Sequence, residues 1–176
     1  GQSPDDLADV RARTIGFIFQ TFNLLPVLSA FENVEYPLLQ MRELSAPERR
    51  ERVNHYLSKV GLAKYAHHRP NQLSGGQRQR VAVARALVTH SRVVLADEPT
   101  ANLDRRTGES ILNLMRDLNQ NDGTTFVFST HDKRVMNRAD RLVRMEDGQI
   151  TALGLRRDGA WKFVQDRRKP EDDPEI

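Results

Sequence analysis

Three short apolar runs, each closed by polar residues, constrain this chain more than any other feature. They are Thr14-Ile15-Gly16-Phe17-Ile18-Phe19, ending in Gln20; Val93-Val94-Leu95-Ala96, ending in Asp97-Glu98; and Thr124-Thr125-Phe126-Val127-Phe128-Ser129, with His131 just beyond. Short unbroken runs of β-branched, aromatic and aliphatic residues predict strands covered on both faces, as in a parallel sheet. In open parallel sheets, ligands bind outside the carboxyl ends of the strands. Gln20, Asp97–Glu98 and His131 are therefore expected to converge on one site. Adjacent acids at such a place repel each other and lose hydration, which a bound cation offsets; a hard, oxygen-liganded ion such as Mg²⁺ is the expected partner.

The sequence between the first two runs reads as helical. Ser74 and Gln77 have the spacing of a capping box, so Leu73-Ser74-Gly75-Gly76-Gln77 starts a helix. The two glycines are then odd, since each costs roughly 1 kcal/mol against Ala inside a helix. Close approach is a physical reason to keep them: without Cβ atoms, the first backbone N–H groups can touch an anion, and the Ser74 hydroxyl can donate to it. Ser45-Ala46-Pro47-Glu48 is a second capping box, before a helix with Val53, Leu57 and Val60 on one face and Gly61 as its stop. Further on, Asp104 reads as the N-cap of a helix whose Ile111, Leu114, Met115 and Leu118 face the core. Asn121-Asp122-Gly123 reads as a turn, and residues 141–153 as an edge hairpin around Glu146-Asp147-Gly148.

The 176 residues suit one domain with a substantial core. The absence of cysteine excludes disulfides and thiolate metal sites. No apolar run approaches the ~20 residues that span a bilayer. Net charge is only +3, with Lys and Arg scattered rather than gathered in a nucleic-acid-binding stripe. His67 and His68 have no carboxylate or cysteine at metal-ligand spacing and receive no function.

LSGGQ at 73–77, followed by VVLADEPT at 93–100, resembles the signature motif and Walker B strand of the ATP-binding cassette (ABC) ATPase family. The resemblance extends over residues 7–153. It implies an α/β fold: a P-loop NTPase (RecA-like) parallel-sheet core with a helical subdomain inserted at about 24–90. Residues 1–153 would form a partial ATP-binding domain, and 154–176 a charged tail of disordered composition. By the same resemblance, Gln20 is the Q-loop residue, contacting the metal and the attacking water. Asp97 positions Mg²⁺, Glu98 polarises the water as general base, and His131 is the switch that contacts the γ-phosphate. Ser74, Gly75, Gly76 and Gln77 would reach the ATP of a partner subunit. Thr100-Ala101-Asn102-Leu103-Asp104 matches the D-loop, with Ala101 where many members carry Gly.

A narrower resemblance, F-x-L-L-P-x-L-x-A-x-E-N-V-x-x-P-L over residues 22–38, is to the subgroup that powers lipoprotein release and macrolide-type export. It implies ATP and Mg²⁺ as cofactors, and integral-membrane permease subunits and a second ATP-binding subunit as partners. Nucleic acid is not among them, and the place is the cytoplasmic face of the inner membrane. Leu24, Leu25 and Val27 are candidates to meet the permease. Two rival readings are a soluble ABC ATPase acting on DNA or ribosomes, and a non-catalytic pseudo-subunit. The compact stretch from Gln20 to Leu73, without heptads, argues against the first. No G-x-x-x-x-G-K-[ST] occurs in the chain. The resemblance places that loop ahead of the Q-loop strand, so the expectation is an N-terminal truncation, an incomplete central sheet, and weak ATP binding and hydrolysis by this chain alone.

Overall fold

The three apolar runs pair side by side. In the computed structural model, which describes residues 10–157 and 160–165, they form β1 (Ile15–Ile18), β2 (Val93–Asp97) and β3 (Thr125–Ser129), in that order and all parallel. Ile18 lies opposite Ala96, Ala96 opposite Phe128, and Asp97 opposite Ser129, so the three carboxyl ends share one edge. The chain divides into two compact units between Thr130 and His131.

In the first unit, parallel pairing forces long crossovers, and these are helical. Between β1 and β2 run α1 (Ala30–Glu35), α2 (Ala46–Lys59) and α3 (Gly75–Leu87). Each starts at a capping box: Ser29 with Glu32, Ser45 with Glu48, and Ser74 with Gln77. Val53, Leu57 and Val60 are buried, as their spacing predicts, and Gly61 turns the chain away at φ 74°. Between β2 and β3 lies α4 (Arg105–Asp122), capped by Asp104, with Ile111, Met115 and Leu118 buried and Leu114 partly so. Here the expected turn is corrected. The helix continues through Asn121 and Asp122 and stops only at Gly123, whose φ of 69° ends it in the left-handed region. Lys59 of α2 pairs with Asp122 at 2.5 Å, which gives that last turn a tertiary anchor.

α3 lies across β1 so closely that a Cβ on Gly16 would sit 2.2 Å from the Ala86 carbonyl oxygen. The sheet face turned to α3 and α4 carries Gly16, Ile18, Val94 and Ala96, all buried, with Phe126 and Phe128 packed on the same core. The expectation of cover on both faces is not met among the described residues: Phe17 is 39% and Val127 50% exposed on the other face.

The second unit contains the short helix α5 (Lys133–Met136) and an antiparallel meander, β4 (Arg141–Glu146), β5 (Gln149–Arg157) and β6 (Ala160–Gln165). The β4–β5 turn at Asp147-Gly148 has both residues at positive φ, as its sequence predicts. β5 runs on past Leu153 to Arg157, into the stretch expected as a charged tail, and β6 adds a third strand containing Trp161, Phe163 and Val164 through backbone pairing that composition does not display. A Cβ on Gly154 would lie 2.8 Å from the Phe163 ring. The charged stretch from 166 onward lies outside the described residues.

Candidate functional site

At the shared carboxyl edge of the parallel sheet, Gln20 follows β1, Asp97 ends β2, and Glu98 turns away from it. Gln20 and Asp97 are exposed, and Glu98 is half-buried. Glu98 has φ 42°, a left-handed backbone that costs a non-glycine residue of order 1–3 kcal/mol and persists only where its surroundings enforce it. The last residue of β3 fixes its backbone, and the residue after it holds its side chain. The Glu98 N–H donates to the Ser129 carbonyl at 2.9 Å, and the Thr130 hydroxyl donates to Glu98 Oε2 at 3.2 Å. The carboxylate is thus held from the end of the neighbouring strand rather than left to swing.

The tip of α3 is a second cluster. Ser74 is exposed. Its N–H donates to Gln77 Oε1 at 2.8 Å, and its Oγ accepts from the Gln77 N–H at 3.3 Å, so the hydroxyl proton remains for another acceptor. The first-turn N–H groups of Gly75 and Gly76 have no intrahelical acceptor by helix geometry. The glycines also have a reason that sequence reading missed. A Cβ on Gly76 would stand 2.4 Å from Thr107 Cγ2, and one on Gly75 3.4 Å from the Leu103 side chain. They let α3 nestle against the start of α4.

Two polar side chains outside the predicted set tie these clusters together. Asn102 Nδ2 donates to the Gln20 carbonyl at 2.9 Å. Gln79, fully buried on α3, donates from Nε2 to the Pro99 carbonyl at 2.8 Å, while its Oε1 lacks a partner. One sequence signal points to Gln79: a polar residue facing inward beside Val83 and Ala86 on an otherwise apolar helix face. Asp104 accepts from the Thr107 N–H at 3.0 Å, and the Thr107 hydrogen bonds hold its carboxyl below the ordinary value of 3.8.

His131 opens the second unit and is exposed. The next residue, Asp132, caps α5, and the Arg134 guanidinium at 2.6 Å holds its carboxyl below the usual range. Gln20, Asp97 and Glu98 are therefore brought to one edge within the first unit, while His131 belongs to the second.

The donors at this edge fit Mg²⁺ in one specific way. Among the described residues, no group of three His, Cys, Asp or Glu gathers as a metal cage. Asp97 and Gln20 offer hard oxygen ligands from adjacent strands, the sparse set that Mg²⁺ takes when phosphates and water complete its octahedron.

A profile of the ABC transporter family matches residues 2–101. The lipoprotein-releasing system ATP-binding protein LolD of Anaeromyxobacter dehalogenans is 49% identical over 157 residues, which are 89% of this chain and 66% of that protein. The macrolide export ATP-binding/permease protein MacB of Hyphomonas neptunium is 50% identical over 147 residues, 84% of this chain and 22% of MacB. Among solved structures, the ATP-binding cassette MJ0796, a dimer bound to ADP and Pi in a post-hydrolysis state, superposes with a TM-score of 0.75 at 44% identity. That match covers 88% of this chain and 68% of the cassette. The chain thus spans just under two thirds of the LolD relative's length.

Proposed function

The chain belongs to the ABC transporter family, and we propose that it is the ATP-binding and ATP-hydrolysing part of a transporter of the LolD and MacB kind, coupling hydrolysis to lipoprotein release or export through a separate permease. The observation that carries this is Glu98. A glutamate held left-handed by Ser129 and Thr130, on the edge that also presents Gln20 and Asp97, is a carboxylate aimed in advance.

The chemistry is attack of water on a γ-phosphate, in which positioning and charge neutralisation supply most of the acceleration. Glu98 accepts the proton of the attacking water; the Ser129 bond fixes its backbone and the Thr130 hydroxyl holds its carboxylate while it does so. Gln20 orients that water from the adjacent strand end, and His131 is assigned the role of switch at the γ-phosphate. Asp97, with Gln20, would hold Mg²⁺, which when bound neutralises phosphate charge. Asp104, in the D-loop, sits at the subunit boundary. The exposed Ser74 hydroxyl and the first-turn N–H groups of Gly75 and Gly76, with Gln77 closing the capping box, are suited to the phosphates of ATP on a second ATP-binding subunit. Among the described residues, no helix is long and apolar enough to cross a membrane. We place the protein peripherally, at the cytoplasmic face of the inner membrane, against integral-membrane permease subunits. Val27, 71% exposed beside Leu25, is part of the apolar surface offered to them.

The 176 residues contain no phosphate-binding loop, so turnover at the site that Glu98 serves is expected once such a loop is joined ahead of them. In a chimera carrying the loop-bearing N-terminal segment of the LolD relative, Glu98→Gln lowers turnover by roughly 100-fold or more, the usual contribution of a positioned base, without changing thermal stability. Unchanged turnover overturns the assignment. Turnover by the 176 residues alone, abolished by Glu98→Gln, overturns the dependence on that loop.

A further inference from the structure

Two consecutive non-glycine residues just beyond Gln20 are left-handed: Phe22 at φ 65° and Asn23 at φ 46°. A bulky aromatic in that region is a conformational outlier that must be held from outside. Local bonds contribute, with the Phe22 N–H on the Phe19 carbonyl at 3.1 Å and the Thr21 hydroxyl on Asn23 Oδ1 at 2.7 Å. The restraint from elsewhere in the fold comes from α3. Arg85 donates from one guanidinium nitrogen to the Phe22 carbonyl at 2.8 Å and from the other to the Asn23 carbonyl at 2.5 Å. Seven residues earlier on the same helix face, the Arg78 guanidinium lies over the Phe22 ring at 5.3 Å.

A guanidinium fork spanning two successive carbonyls is geometry that lysine cannot reproduce. We propose that Arg85, assisted by Arg78, is a positioning residue: it clamps the Phe22–Asn23 turn and thereby fixes Gln20 at the carboxyl edge of the sheet. Gln20 is held on its other side by Asn102, through the carbonyl. The helix that presents Ser74 to one nucleotide thus also sets the residue that serves another. The importance of Gln20 rests on the function proposed above; the clamp rests on geometry alone.

The test is amide hydrogen exchange and ¹⁵N spectroscopy on the ¹⁵N-labelled 176-residue chain without nucleotide. In Arg85→Met, the amides of residues 21–24 are expected to exchange at least ~10-fold faster, while those of α2 keep their rates. The Gln20 carboxamide pair, assigned by its loss in Gln20→Glu, shifts or broadens. Arg85→Lys, reaching one carbonyl, lies between wild type and Arg85→Met. Arg78→Gln, which removes only the stacking, gives a smaller change confined to the same segment. Should Arg85→Met fail to fold, Arg85→Lys and Arg78→Gln carry the test. Uniformly faster exchange across the unit, or an unmoved Gln20 signal in all three variants, overturns the proposal. No nucleotide is involved, so failure of the Gln20 assignment in turnover would leave this result standing, and the reverse.

Discussion

The two faces of the parallel sheet both present large apolar residues and meet different surroundings. Ile18, Val94 and Ala96 lie under α3 and α4 with almost no exposure. Phe17 and Val127, in the same strands and one position away, remain substantially open. Alternation in a strand sends neighbours to opposite faces, so one residue of displacement separates a core position from a surface one. The difference teaches that apolar content marks these segments as strands, while only the packing partner decides what each side chain contributes to stability.

The sharpest way to break that comparison is Gly16→Ala. Its methyl would overlap a backbone carbonyl of α3, which cannot rotate away. Overpacking costs of 1–3 kcal/mol or more are therefore expected at their upper end, about 3 kcal/mol, as a fall in the urea midpoint. Next comes a matched pair. Ile18→Ala should cost about 3 kcal/mol through lost burial and a cavity, whereas Val127→Ala on the open face should cost under about 0.5 kcal/mol. Equal costs would mean that something covers the second face in solution.

Gly76→Ala adds a methyl 2.4 Å from the Thr107 methyl, a side-chain neighbour that can partly give way. A loss of about 1–2 kcal/mol is expected, largely relieved by combining it with Thr107→Ser. An unrelieved loss would reject packing against α4 as the reason for this glycine. The smallest effect concerns the surface end of the same contact. The Asp104 carboxyl is depressed in the folded state, so its contribution is present above its ordinary value of 3.8 and lost as pH falls through the lower folded value. Asp104→Asn keeps a capping oxygen but cannot titrate. The stability difference between the two proteins should be flat near neutrality and narrow below 3.8, measured by urea unfolding across acid pH; a constant difference would place the cap's strength elsewhere.

Much of the local structure was legible. The capping boxes at Ser45 and Ser74 and the Asp104 cap follow from short-range hydrogen-bond geometry, and the sequence displays the residues that make them. The end of α4 was misread, because Asn121 and Asp122 have turn chemistry while the helix is held to its last turn by the Lys59–Asp122 pair, a contact 63 residues apart in the chain. Gln79, Asn102 and Arg85 were not legible as links. Each acts on a carbonyl, of Pro99, Gln20 or Phe22 and Asn23, and every residue presents a carbonyl, so nothing in sequence marks which one is held.

The sequence by itself determined the three parallel strands, the helix starts at Ser45, Ser74 and Asp104 and the polar groups at three strand ends, since these depend on apolar runs and on contacts within a few residues. The ABC family membership was likewise readable from LSGGQ and LADEP. Only the tertiary structure decided that β1, β2 and β3 lie adjacent with Asp97 level with Ser129, that Glu98 is held left-handed by β3, and that α3 grips the turn after Gln20. The physical reason is range: these depend on backbone groups far apart in the chain, whose partnership exists only once the helices have closed the sheet.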